Sequence, residues 1–172
     1  MSHSRATNED IQALEKAISA NYEDAKLAGK PVSHGTADPN LTSVKAGPKN
    51  VGQGLGGNGL YVAFEESTAK QCAEESGQKA LSREVKPVVL KGHINPTKHY
   101  RIARIKIAPN MGPSNFKEGV IAWNWSRDPK ILKFINDTYD MVIMSIPETY
   151  STPTREYLVV YERAGADAIL WQ

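Results

Sequence analysis

The sequence predicts an α+β fold, and three observations carry that reading. One amphipathic helical pattern opens the chain. Short apolar or alternating segments fill most of the remainder. Between those segments there are no regularly spaced helices of the kind that join parallel strands. At 172 residues the chain is long enough for one domain with a full core and too short for two comfortable ones, so a single domain over 1–172 is expected. An apolar content of 40% and a charged content of 23% are those of an ordinary soluble globular protein.

The elements follow in chain order. From Asn8 to Ala28 the residues Ile11, Leu14, Ile18, Tyr22 and Ala25 recur at spacings of three and four, the apolar stripe of a helix packed on a core. Thr7 or Asn8 can cap it, with Glu9 and Asp10 in the first turn. Gly29 ends it, and Pro31 follows. Pro31-Val32-Ser33 reads as a strand leading into His34. The glycines between Pro48 and Gly59 predict a mobile loop, because glycine gains little from any one conformation. Ser67 to Gly77 reads as helical, with Ala69, Cys72 and Ala73 on one face. Strands are expected at Val85–Leu90, Tyr100–Ile107, Val120–Trp125, Asp140–Ser145, Tyr157–Tyr161 and Ala168–Trp171. Tyr100 to Ile107 alternates cleanly, so one of its faces is buried. Asp128-Pro129 opens a short helix bearing Ile131, Leu132, Phe134 and Ile135, with proline at its first position.

Charge and cysteine content narrow the function classes. A net charge of +2, from 21 basic and 19 acidic residues, leaves no electrostatic footprint for a membrane or nucleic-acid partner, although a nucleic-acid acceptor is not excluded. One cysteine, Cys72, allows no internal disulfide. No apolar run approaches the roughly 20 residues of a membrane span. The N-terminus lacks the apolar core of a signal peptide and the glycine that myristoylation needs. The expected location is cytoplasmic, or a target cell reached by a specialised secretion route that leaves no such mark.

Three patterns are weaker than they look. Gly52-Gln53-Gly54-Leu55-Gly56-Gly57 matches G-x-G-x-x-G, but a polar loop precedes it and a strand follows, where a dinucleotide fingerprint needs a strand and then a helix. His34, His93, His99 and Cys72 show no zinc-ligand spacing, and no metal is expected. Trp123 and Trp125 would share one face of a strand and stack on a base; packing at a core or rim is the better reading.

The informative segments are Ser33-His34-Gly35-Thr36, Gly57-Asn58-Gly59-Leu60-Tyr61-Val62-Ala63 and Arg155-Glu156-Tyr157-Leu158-Val159-Val160-Tyr161. A histidine, a tyrosine and a glutamate, in that order, each sit on a short apolar strand. Asn40 lies six residues after His34, and Ser67-Thr68-Ala69 opens the helix after the second segment. Together these residues resemble the diphtheria-toxin and poly(ADP-ribose) polymerase branch of the ADP-ribosyltransferases, over most of the chain from about residue 31 onward. The resemblance implies two packed, mainly antiparallel sheets around an NAD cleft. It implies NAD+ as a substrate, from which a single ADP-ribose passes to a macromolecular acceptor, expected to be a protein, with release of nicotinamide, so that the product is mono- and not poly(ADP-ribose). The enzyme would be an intracellular modifier or a toxin-like effector.

The chemistry explains those residue types. Breaking the nicotinamide–ribose bond builds positive charge on the sugar, and an ionised carboxylate beside it stabilises that charge as it develops. The resemblance assigns this role to Glu156. It assigns His34 to the ribose hydroxyls and Tyr61 to stacking on the nicotinamide ring. Gly35 would let its backbone pair with the carboxamide, Thr36 and Asn40 would hydrogen-bond the adenosine ribose, and Ser67 or Thr68 would reach the carboxamide. Two departures qualify this. The family's second stacking tyrosine is absent, with Gln71 or Cys72 in its place. Thr154 stands where arginine-modifying relatives carry Glu or Gln, which disfavours arginine as acceptor. The other readings are an NAD+ glycohydrolase, with water as acceptor, and a non-catalytic NAD- or protein-binding member of the same fold.

Overall fold

A computed structural model of the chain describes residues 6–20, 27–36, 52–54, 57–70, 88–108, 113–146 and 155–172. Helix α1 spans Asn8–Ala20. Thr7 is its cap: the Asp10 N–H donates to Thr7 Oγ1 at 3.1 Å, and the Thr7 N–H donates to Asp10 Oδ2 at 2.9 Å. Two orphan donors of the first turn are thereby satisfied reciprocally. Leu14 and Ile18, one turn apart, are buried, as the apolar stripe requires. The expected continuation through Tyr22 and Ala25 lies outside the described residues. Leu27 to Gly29 form a turn, and Gly29 adopts φ 74°, a backbone state that costs glycine little.

The strands are β1 (Pro31–Thr36), β2 (Gly52–Gly54), β3 (Gly57–Ala63), β4 (Val88–Ile94), β5 (Ile102–Ile107), β6 (Val120–Ile121), β7 (Met141–Ile146), β8 (Arg155–Val160) and β9 (Ile169–Trp171). Helix α2 spans Pro129–Thr138. The α+β class is as expected, but in place of the expected pair of packed sheets the described residues form a single mixed sheet. Eight strands follow the order β6-β5-β7-β8-β3-β1-β4-β9, with β2 paired to β3 off that path. β5 runs parallel to β6 and to β7. The other joints are antiparallel. β1 pairs along its full length with β4, whereas its pairing with β3 is confined to Ser33 opposite Ala63. The sheet is continuous through that pair, and the His34 ring bonds the Tyr61 carbonyl across the same joint.

Each face of the sheet carries its own core. On one face α1, α2 and Trp125 cover Ala103, Ile105, Val142, Met144 and Val159. On the other, Leu27, Val32, Leu60, Val62, Ile102, Ile143, Leu158, Val160 and Ile169 pack together. Strand alternation assigns the faces: Ala103 and Ile105 go to the first and Ile102 to the second.

Several expected elements change shape. The glycine segment is a hairpin where it is described, with Gly52 opposite Gly59 and Gly54 opposite Gly57. Gly59 has a steric reason: a Cβ there would lie 2.6 Å from Val159 Cγ1 on β8, so only glycine lets the strands approach. The strand expected at Val120–Trp125 stops at Ile121. Beyond it the Trp125 N–H donates to Ala122 O at 3.0 Å and the Arg127 N–H to Asn124 O at 2.9 Å, a 3₁₀ turn over Trp125–Arg127. Trp123 and Trp125 therefore do not share a strand face: the first is 36% exposed and the second 2%. Asp128 caps α2 through Oδ1, which accepts from Lys130 N at 3.0 Å, and its Oδ2 accepts from Ala6 N at 3.1 Å. Pro129 then occupies the first turn, as the sequence predicts. Among the described residues no helix is long and apolar enough to cross a membrane.

Candidate active site

The three motif strands lie side by side, in the order β8-β3-β1. His34 sits on β1 opposite Leu90 of β4, two residues after Val32 and so on the same face. Its ring is half-buried. Nδ1 lies 2.7 Å from the backbone carbonyl oxygen of Tyr61. A carbonyl only accepts, so the proton is on Nδ1 and Nε2 presents a lone pair. The ring meets Trp171 edge-on, with centroids 6.4 Å apart. Burial holds the His34 pKa below its ordinary 6.5, against the opposing effect of the bond to the Tyr61 carbonyl. The imidazole is therefore neutral at neutral pH.

This has a measurable consequence for stability. Because the folded pKa is depressed, the unfolded chain takes up this proton first as pH falls. His34 thus contributes stability that is intact above 6.5 and is lost in more acidic solution, down through its folded pKa. Thermal melts between about pH 5 and 8 should show part of the acid loss disappear in His34→Gln. An unchanged pH slope in that variant would contradict the buried neutral imidazole.

Glu156 sits near the start of β8, directly opposite Ser145 of β7. Two donors converge on its Oε2: Arg104 Nη1 from β5, and Ser145 Oγ at 3.0 Å. Its Oε1 has no hydrogen-bond partner among the described residues. The side chains of Arg104 and Glu156 are 28% and 38% exposed, so the pair orients the carboxylate more than it stabilises the fold. Arg104 and Ser145 were not singled out from sequence. Alternation along each strand predicts their faces, but their meeting with Glu156 depends on the order β5-β7-β8, for which the chain carries no local signal.

Glu156 shares the face of Leu158 and Val160, and hence of Val32 and His34. On an ideal sheet the Cα atoms of His34 and Glu156 would be about 12 Å apart, two strands across and two residues along. Tyr61 is oriented differently. It lies opposite Val159 and its half-buried ring packs against the helix-covered face with Val159 and Tyr161. Its backbone carbonyl, not its ring, joins His34.

The other expected residues are dispersed. Gly35 is half-buried on β1 opposite Val89. Thr36 ends that strand opposite Val88; its side chain, like Asn40, Gln71, Cys72 and Thr154, lies outside the described residues. Ser67 is exposed and Thr68 half-buried in the helical residues 66–70 that follow β3. No cluster of metal-ligating side chains occurs among the described residues. A cavity of about 480 Å³ opens elsewhere, between Phe116, Trp125, Arg127 and Ile131, and no motif residue lines it. No model of a known protein family matches the chain, and no curated protein sequence matches it.

Proposed function

We propose that the chain is a mono-ADP-ribosyltransferase that cleaves NAD+ and passes one ADP-ribose to a macromolecular acceptor. The observation that carries this reading is the Glu156 carboxylate, fixed through one oxygen with the other unbonded among the described residues, on the same sheet face as the neutral imidazole of His34. The order and spacing of the three motifs support the same reading. In it, the bond between nicotinamide nitrogen and ribose C1′ breaks, its electron pair neutralises the pyridinium, and positive charge develops on the sugar. Glu156 Oε1 meets that charge. The Nε2 lone pair of His34 accepts from a ribose hydroxyl and fixes the sugar. Gly35, without a Cβ, leaves its backbone open to the carboxamide. NAD+ is consumed as substrate, and the reaction belongs inside a cell, whether the protein is made there or delivered there.

The test is label transfer from NAD+ to cell lysate, with nicotinamide release followed in parallel. Release with one discrete labelled band supports a mono-transferase. A ladder of high-mass products would refute mono-transfer. Release in buffer alone would identify a glycohydrolase, and no release under either condition would leave only a binding role.

A further inference from the structure

Resting on the reading just given, we propose that Trp171 is the stacking platform for the adenine ring of NAD+, so that the site selects the whole dinucleotide over its nicotinamide half. Trp171 lies on β9 directly opposite Gly92 of β4, and Gly92 lies directly opposite Val32 of β1. Alternation then puts Trp171 on the sheet face of Val32, His34 and Glu156. Gly92 makes room for the indole. A Cβ at Gly92 would lie 3.0 Å from Trp171 Cε3, so the ring lies against β4. Its contact with the His34 ring, centroids 6.4 Å apart, places it beside the site. Among the described residues, two half-buried aromatic rings lie on this face, those of Phe64 and Trp171. Lys30 Nζ sits over the first, 4.4 Å from its centroid. The Tyr61 ring is on the opposite face.

Distance decides which base of the dinucleotide this ring meets. The strand order β8-β3-β1-β4-β9 puts β4, against which the indole lies, three strands from Glu156. At a ladder spacing of about 4.8 Å, that is roughly 14 Å on an ideal sheet. Nicotinamide is bonded directly to the ribose C1′ that Glu156 faces, so it does not reach the indole. Adenine is joined to that sugar through the pyrophosphate and a second ribose, and an extended dinucleotide spans the gap. His34 lies between the two ends, on β1. An indole offers a large flat face with few rotamers, and a purine stacks on such a face without a matching set of polar groups at its edge.

The experiment titrates NAD+, ADP-ribose and nicotinamide mononucleotide, which lacks adenine, into wild type, Trp171→Ala and Trp171→Phe. Binding is followed by calorimetry and by tryptophan emission. Trp171→Ala should raise the Kd for NAD+ and for ADP-ribose by about tenfold, the scale of one base–aromatic stack, and leave the Kd for nicotinamide mononucleotide unchanged. Trp171→Phe keeps a ring to stack on and should lose less affinity. ADP-ribose should quench the emission of wild type, and most of that quenching should vanish in Trp171→Phe, a readout that survives even if Trp171→Ala does not fold. An unchanged Kd for ADP-ribose in Trp171→Ala, or quenching retained in Trp171→Phe, would overturn the adenine platform while leaving NAD+ cleavage intact. An equal loss of affinity for all three ligands would also overturn it, by showing that the indole only supports His34. Failure of wild type to bind either NAD+ or ADP-ribose would overturn both readings.

Discussion

Glu156→Gln is expected to slow nicotinamide release by about 10²–10³, the usual cost of losing one focused electrostatic partner of the transition state. Glutamine keeps the length of the side chain and an oxygen that can still accept from Ser145 Oγ, 3.0 Å away in the native protein. It removes the negative charge that would meet the developing charge on the sugar. Arg104 then loses its ion pair, but at 28% side-chain exposure it can turn to water, so the fold should survive. Affinity for NAD+, measured by calorimetry, should change far less than turnover. That split between binding and rate is what a group acting only in the transition state produces. If the variant released nicotinamide at the wild-type rate, Glu156 would not be the catalytic carboxylate, and the proposed function would lose its central observation.

Leu158→Ala should produce the largest loss of stability among single substitutions near the site, about 3 kcal/mol within the 2–5 expected for a buried Leu→Ala change. Leu158 is 0% exposed. Its strand is interior, with Ile143 opposite it on β7 and Val62 opposite it on β3. Removing three carbons there leaves a cavity between paired strands that cannot close without breaking the ladder. For a domain of this size the melting temperature should fall by about 6–12 °C. Leu170→Ala serves as a control, because Leu170 is 36% exposed. Its change should stay within about 0.5 kcal/mol. Equal effects from both substitutions would show that the second core does not run through β8.

Features governed by neighbours in sequence were legible. The start of α1 was, because Thr7 and Asp10 form a local exchange of hydrogen bonds. So was α2, where Asp128, Pro129 and the Ile131–Ile135 spacing all point the same way. The alternation of β5 gave the buried face of Ala103, Ile105 and Ile107, but not that Tyr100 and Ile102 on the other side are buried in a second core. Features governed by residues distant in sequence were not legible. The glycine hairpin looked like a loop because Gly59 is required by Val159, a residue on another strand. Trp123 and Trp125 looked like strand residues because nothing local shows that the chain turns after Ile121. The candidate site divides in the same way. His34 and Glu156 were readable from motif context, while Arg104 and Ser145 depend on strand register, where a slip of one residue would turn each side chain to the other face. Tyr61 was readable as a motif residue, but the direction of its ring was not.

The adjacency of β8, β3 and β1 also bears on how the protein reaches its working state. His34 and Glu156 are near opposite ends of the sequence, yet they depend on strands that pair directly with β3. No early, local fragment of the chain contains the site. Assembling it requires the closure of a loop that includes most of the molecule, an entropic cost met before the contacts that reward it form. Recovery of activity during refolding should therefore trail the recovery of helical signal from α1 and α2. Any agent that slows the pairing of β8 with β3 should delay function while leaving the helices intact.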